Sequence, residues 1–167
     1  MDEPRHDLFR ITVETEAGTG RVASALGECL RLGDCVLLQG DLGAGKTAFA
    51  RALIRSLAGD AQLIVPSPTF TLSQIYDLPD FALTHFDLYR LGEAEDVFDL
   101  GWDDARADGV TLVEWPERLG SLAPPTALLV RLDAIGGRDN EINEAEGRQI
   151  CLCGNAGWKP RLELNFS

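Results

Sequence analysis

The run "CVLLQ" (35–39) passes directly into "GDLGAGKT" (40–47) and then into "AFARALIRSLAG", and this order leaves the chain few folds to choose from. A short apolar run bounded by glycine reads as a buried strand. In the third piece, Phe49, Leu53, Ile54 and Leu57 recur at helical spacing and Gly59 closes the helix. A strand, a glycine loop and a helix make the core unit of an α/β nucleotide fold. The loop fits G-x-x-x-x-G-K-[ST] in the setting that the motif requires. Gly40, Gly43 and Gly45 let backbone amides wrap a phosphate with no Cβ in the way, and Asp41, Leu42 and Ala44 fill the turn between them. The helix that follows points its positive end at the anion. Lys46 is placed to reach β- and γ-phosphates, and Thr47 to offer a hydroxyl to Mg²⁺. The expected ligand is therefore a nucleotide triphosphate with magnesium.

The rest of the chain predicts a single-domain P-loop α/β fold over residues 1–167, with a mixed sheet flanked by helices. "LFRITVET" alternates as a first strand. "TEAGTGRVASALGECLRLG" reads as a helix with a capping Thr, apolar positions at Val22, Ala25, Leu26, Cys29 and Leu30, and a stop at Gly33. "TFTLSQIY" and "ALTHFDLY" read as strands joined by the turn "DLPDF", an antiparallel hairpin added to the parallel core. "EAEDVFDLGWDDARADG" is acidic and helical, broken at Gly101. "VTLVEW" is a short buried strand. "PTALLVRLDA" and "RQICLC" read as two further strands paired across "IGGRDNEINEAEG". The tail from about residue 154 has no clear pattern and is expected to be in part mobile.

A magnesium site needs a carboxylate besides Thr47, and two strand ends offer one: Asp87 in "LTHFDLY" and Glu114 in "VTLVEW". Either fits a metal ligand, with the other orienting the attacking water. "PSPTF" holds Ser67 and Thr69 on a loop stiffened by Pro66 and Pro68, where a hydroxyl can sense a γ-phosphate.

Charge narrows the partners. The chain of 167 residues carries a formal net charge of −12, and its only lysines are Lys46 and Lys159. Bare nucleic-acid binding needs a basic surface, and none is visible. DNA is not an expected partner, and any RNA is expected to be held by another protein. No apolar run is long enough to span a membrane, and "MDEPRHDLF" lacks the apolar core of a signal peptide, so a cytoplasmic protein is expected. Cys29, Cys35, Cys151 and Cys153 are then expected to be reduced, with the Cys151 and Cys153 pair packed on one face of a strand.

Three rival readings stay in view. D-x-x-G at 133–136 resembles a GTPase switch, yet no N-K-x-D guanine reader exists in the sequence. A small-molecule kinase would use "GEAEDVFDLGWDDARAD" as its lid, and that segment is acidic rather than arginine-rich. A nucleotide-bound adaptor would carry the same loop without turnover.

"GDLGAGKT", "SPTFTL", "HFDLYRL", "LGWDD" and "LVEWPERLG", in that order, resemble the TsaE (YjeE) family of small P-loop ATPases of bacterial tRNA threonylcarbamoyladenosine biosynthesis. The resemblance covers roughly residues 8–120, and "GR" at 147–148 extends it. It implies ATP and Mg²⁺ as cofactors, and hydrolysis that is slow without the partners TsaD and TsaB. It implies that tRNA is met only through that complex, where threonylcarbamoyl is placed on N6 of adenosine 37. It assigns the site to Lys46, Thr47, Ser67, Thr69, Asp87, Glu114 and Trp115, with Asp87 and Glu114 sharing magnesium and water duties. Trp115 lines the site or meets the partner, while Arg90 and Arg118 either stabilise the transferring phosphate or pair on the surface, and surface pairing is the expectation for each. One departure is Ala48, where the family commonly has a second hydroxyl.

Overall fold

The computed structural model describes residues 4–136 and 147–167. One sheet of seven strands runs through it. In chain order these are β1 (His6–Val13), β2 (Cys35–Gln39), β3 (Ser73–Asp77), β4 (Ala82–Asp87), β5 (Gly109–Glu114), β6 (Leu128–Ile135) and β7 (Gly147–Gly154). Across the sheet the order is β1-β7-β6-β2-β5-β4-β3. The four inner strands β6, β2, β5 and β4 are mutually parallel. β3 joins one edge antiparallel, and β7 and β1 extend the other. The expected mixed sheet is the observed one. The pairing expected between the last two strands is also present, although the connection at 137–146 lies outside the described residues.

Strand composition explains this order. All six residues of β5 are buried, as are four of the five in β2, because helices or 3-10 turns cover both faces of the inner strands. On one face α1 (Glu16–Gly27), α2 (Lys46–Ala58) and α4 (Lys159–Phe166) pack a core that includes Leu26, Phe49, Leu53, Ile54, Leu112 and Val130. On the other face, a 3-10 segment (Ala94–Leu100), α3 (Trp102–Asp108) and a second 3-10 segment (Pro116–Leu122) cover Phe86, Leu88 and Val113. Trp102 meets Phe86 edge-on at 5.3 Å and is 2% exposed. Burying side chains of this size contributes roughly 1.5–3 kcal/mol each. The break at Gly101 falls where expected, with φ of 80°. The acidic segment considered as a kinase lid is thus a cover for the second core, anchored by Val97 and Trp102.

Several boundaries depart from the sequence reading. α1 is capped by Thr15, whose side chain accepts from the Gly18 amide, but it ends at Gly27. Gly33, with φ of 89°, closes a later turn instead of the helix. β3 starts at Ser73, because the Leu72 amide turns back to the Pro68 carbonyl at 2.8 Å with Leu72 at φ 65°. "TFTL" is therefore a tight turn, held to β4 by the Asp87 amide on the Leu72 carbonyl. β4 and β5 end at Asp87 and Glu114, one residue or two short of the expected apolar runs.

The tail from about 154, expected to be in part mobile, forms α4. Trp158, Leu162 and Phe166 recur every four residues, and Leu162 is fully buried. Arg161 pairs with Asp34 and stacks over Trp158, whose indole N–H donates to the Thr126 carbonyl. The thiols of Cys151 and Cys153 are free, buried and 3.4 Å apart. Cys153 donates to Asp7, and burial above all pushes its pKa up to about 12, so it stays protonated at neutral pH.

Candidate functional site

The four inner strands deliver their C-terminal ends to one rim, as parallel sheets do. The loop between β2 and α2 lies there, and the register then sets Asp87 directly beside Glu114 on neighbouring strands. A cleft of about 420 Å³ opens between them. Its floor carries Lys46, Thr47, Asp87 and Glu114; its walls carry Ser67, Thr69 and Trp115. From the glycine loop it takes Leu42, Gly43 and Gly45. Gly43 and Gly45 hold φ of 80° and 103°, which a side chain would strain.

The other loop residues named from sequence do not line the cleft. Ala44 is buried beneath the loop, and Asp41 faces solvent. Gly40 has a packing reason to be glycine, since a Cβ there would stand 2.6 Å from the Leu132 carbonyl oxygen of β6.

Lys46 is buried at the first turn of α2. Its ammonium donates to the carbonyls of Gly40 and Asp41 at 2.5 and 2.8 Å and lies 4.0 Å from the centre of the Trp115 ring. Burial lowers its pKa from the ordinary lysine value, against the pull of Glu114 and other nearby acids. Trp115 reaches this place because the chain turns left-handed after β5, with φ of 58° at Trp115 itself. Tyr89 packs on its ring at 4.9 Å.

Thr47 Oγ1 donates to Glu114 Oε2 at 3.3 Å. Asp87 accepts from the Tyr89 amide through Oδ1 and from Ser67 Oγ through Oδ2, and Ser67 in turn shares a hydrogen bond with Thr69 at 3.0 Å. The "PSPTF" loop is thereby tied to the end of β4. Burial raises the Asp87 pKa above the usual carboxylate range, with the Glu114 charge adding to the rise. Glu114 Oε1 is buried without a hydrogen-bond partner among the described residues. A hydroxyl and two carboxylates are hard oxygen donors suited to Mg²⁺, and an orphaned buried carboxylate oxygen among them fits such a donor set.

Of three further neighbours, only His85 escaped the sequence reading. His85, fully buried two residues before Asp87 on β4, faces Glu114 Oε1 with Nε2 at 3.6 Å. The period of two along a strand was the signal that puts it on the Asp87 face. Arg90, expected to pair on the surface, makes no ion pair among the described residues; it lies over the Phe70 ring at 4.7 Å and lines the cleft with Tyr89. Arg148 of β7 reaches the glycine loop from the far side.

Comparison with known proteins adds the last observation. The sequence model of the family described as "Threonylcarbamoyl adenosine biosynthesis protein TsaE" matches residues 13–142. The protein named tRNA threonylcarbamoyladenosine biosynthesis protein TsaE in Rickettsia conorii is 40% identical over 124 residues, which is 74% of this chain and 70% of that one. Its namesake in Treponema pallidum is 38% identical over 138 residues, covering 82% of this chain and 100% of that one. Among solved structures, Bacillus subtilis YdiB superposes with a TM-score of 0.74 over 98% of this chain and 95% of that one, at 23% identity, which supports the fold.

Proposed function

Since the chain belongs to the TsaE family of threonylcarbamoyl adenosine biosynthesis proteins, we propose that its part in that biosynthesis is to bind and hydrolyse Mg-ATP. The observation that carries this reading is the convergence of Lys46, Thr47, Asp87 and Glu114 in one cleft at the ends of parallel strands. Phosphoryl transfer to water asks a protein for little covalent chemistry; it asks for positioned charge.

Each residue supplies part of that. Lys46 leaves the Gly40 and Asp41 carbonyls to meet the β- and γ-phosphates, and the Gly43 and Gly45 turn presents amides to them. Thr47 and Glu114, already joined, would hold Mg²⁺, which would supply charge neutralisation to the phosphates. Asp87, tied to Ser67 and through it to Thr69, takes the water side of the cleft. Trp115 and Tyr89, their rings 4.9 Å apart, line the cleft.

The products of hydrolysis must change how the chain meets its partners, since a ligand shifts an equilibrium only by its differential affinity. The "PSPTF" loop is the candidate moving part. It touches Asp87 through Ser67, pivots at the strained Leu72, and carries Phe70, which is 85% exposed beside the cleft. TsaD and TsaB are the proposed partners, in the cytoplasm, with tRNA held by them. A net charge of −12 supports that indirect route. Among the described residues, no helix is long and apolar enough to cross a membrane.

The test pairs binding with biology. Lys46→Ala is expected to keep the fold by circular dichroism, to lose Mg-ATP binding by calorimetry, and to fail to restore the tRNA modification in cells lacking the wild-type gene. Full restoration by Lys46→Ala would overturn the proposal.

A further inference from the structure

We propose that Arg148 is a positioning residue of the phosphate site, a guanidinium delivered from β7 that holds the outer carbonyls of the glycine loop so that its amides stay turned toward the nucleotide. The inference rests on the reading of the cleft as a nucleotide site.

A loop whose N–H groups converge on an anion must point its carbonyls the other way, and those carbonyls need donors. Two cations supply them here. Lys46 serves Gly40 and Asp41 from inside the loop. Arg148 serves the next part from outside: Nε donates to the Ala44 carbonyl at 2.8 Å and one terminal nitrogen to the Gly43 carbonyl at 3.3 Å. Its other terminal nitrogen donates to the Gly147 carbonyl at 2.9 Å, which anchors the guanidinium to its own strand. A planar fork can bridge a strand and a loop in this way; an ammonium on a flexible stem cannot fix the same geometry.

A second contact comes from the same side. β6, the antiparallel partner of β7, presses the Leu132 carbonyl so close to Gly40 that no Cβ fits between them. The β6–β7 pair therefore backs the loop at two places, at Gly40 and at Gly43–Ala44. The two duties of the cations then separate. Lys46 must turn from its carbonyls when phosphates arrive. Arg148 faces the outside of the loop and keeps its bonds, preserving the left-handed Gly43 and Gly45 before and after binding. Holding a loop in its bound shape improves affinity by sparing the ordering cost, and leaves the chemical step alone.

The experiment measures Mg-ADP and Mg-ATP binding by calorimetry at fixed ionic strength for wild type, Arg148→Met and Arg148→Lys, with KM and kcat for phosphate release alongside. Arg148→Met is expected to bind about tenfold more weakly, the size of one lost charge-assisted hydrogen bond. The loss should fall on KM, with kcat at saturating Mg-ATP changed by less than about threefold. Arg148→Lys should recover part of the affinity. A lowered melting temperature with unchanged Kd for the folded protein would make Arg148 merely structural and overturn the proposal. Wild-type affinity in Arg148→Lys would reduce the role to charge and overturn it as well. If wild type itself binds neither nucleotide, the nucleotide-site reading falls; if wild type binds and Arg148→Met binds equally, this inference falls alone.

Discussion

Thr47 Oγ1 donates to Glu114 Oε2 over 3.3 Å, joining the first turn of α2 to the last residue of β5. Asp87, beside Glu114 in the register, instead accepts from Ser67 of the "PSPTF" loop and from the Tyr89 amide that follows β4. The two carboxylates thus differ in what they touch. Glu114→Gln is expected to raise the Mg²⁺ concentration needed for half-maximal activity by about tenfold or more, since the magnesium seat loses its charge. Asp87→Asn is expected to leave that requirement nearer wild type and to lower kcat by about 10²-fold at saturating Mg²⁺. A magnesium titration of both variants decides the assignment, and the reversed pattern would exchange the two roles.

The same pair of carboxylates sets an expectation for pH. Asp87 is held above the usual carboxylate range by burial, with the Glu114 charge adding to it. A folded-state pKa above the unfolded value means that the folded chain takes up the proton more readily. Its contribution to stability therefore grows as pH falls through the raised value and is lost above it. Without Mg²⁺ or nucleotide, Asp87→Asn should be more stable than wild type near neutral pH. The gain should shrink as pH falls toward about 4. Urea unfolding of both proteins across that range checks it, and a variant less stable than wild type at neutral pH contradicts it.

Trp115 reports on Lys46. The ammonium lies 4.0 Å from the centre of its ring, and the other two tryptophans, Trp102 and Trp158, are buried in the cores. Nucleotide should draw Lys46 off the ring and change the Trp115 emission. Titration with Mg-ADP should show a saturable fluorescence change in wild type that is absent in Trp115→Phe. The same change in Trp115→Phe would assign the signal to another tryptophan.

The C-terminal helix is part of the core. Leu162 is fully buried against it. Leu162→Ala should cost about 2–5 kcal/mol in chemical denaturation, the range for a buried leucine. A loss below about 0.5 kcal/mol would mean that α4 contributes little to stability.

What the sequence made legible follows from what is local. The glycine loop, its strand and its helix are contiguous, so spacing alone placed Lys46 and Thr47. Asp87 and Glu114 were found because both sit where an apolar run ends, although only the register shows that they are neighbours. Contacts across strands left no such trace. Arg148 meets Ala44 from 104 residues away, and no local pattern marks that approach. The turn at Leu72 defeated the strand expected through "TFTL", because a leucine at φ 65° is held by hydrogen bonds to Pro68 and Asp87 rather than by any turn residue. For α4 a signal did exist in the spacing of Trp158, Leu162 and Phe166, but it is short and interrupted by polar residues.

The central claim is tested most directly by free-phosphate release from Mg-ATP. The purified chain would be assayed alone, with TsaD and TsaB, and with Lys46→Ala in its place as the blank. The account predicts slow release alone, clear stimulation by the two partners, and none in the variant. No release in any mixture would contradict it, and would leave a nucleotide-bound adaptor or a kinase with an unknown acceptor.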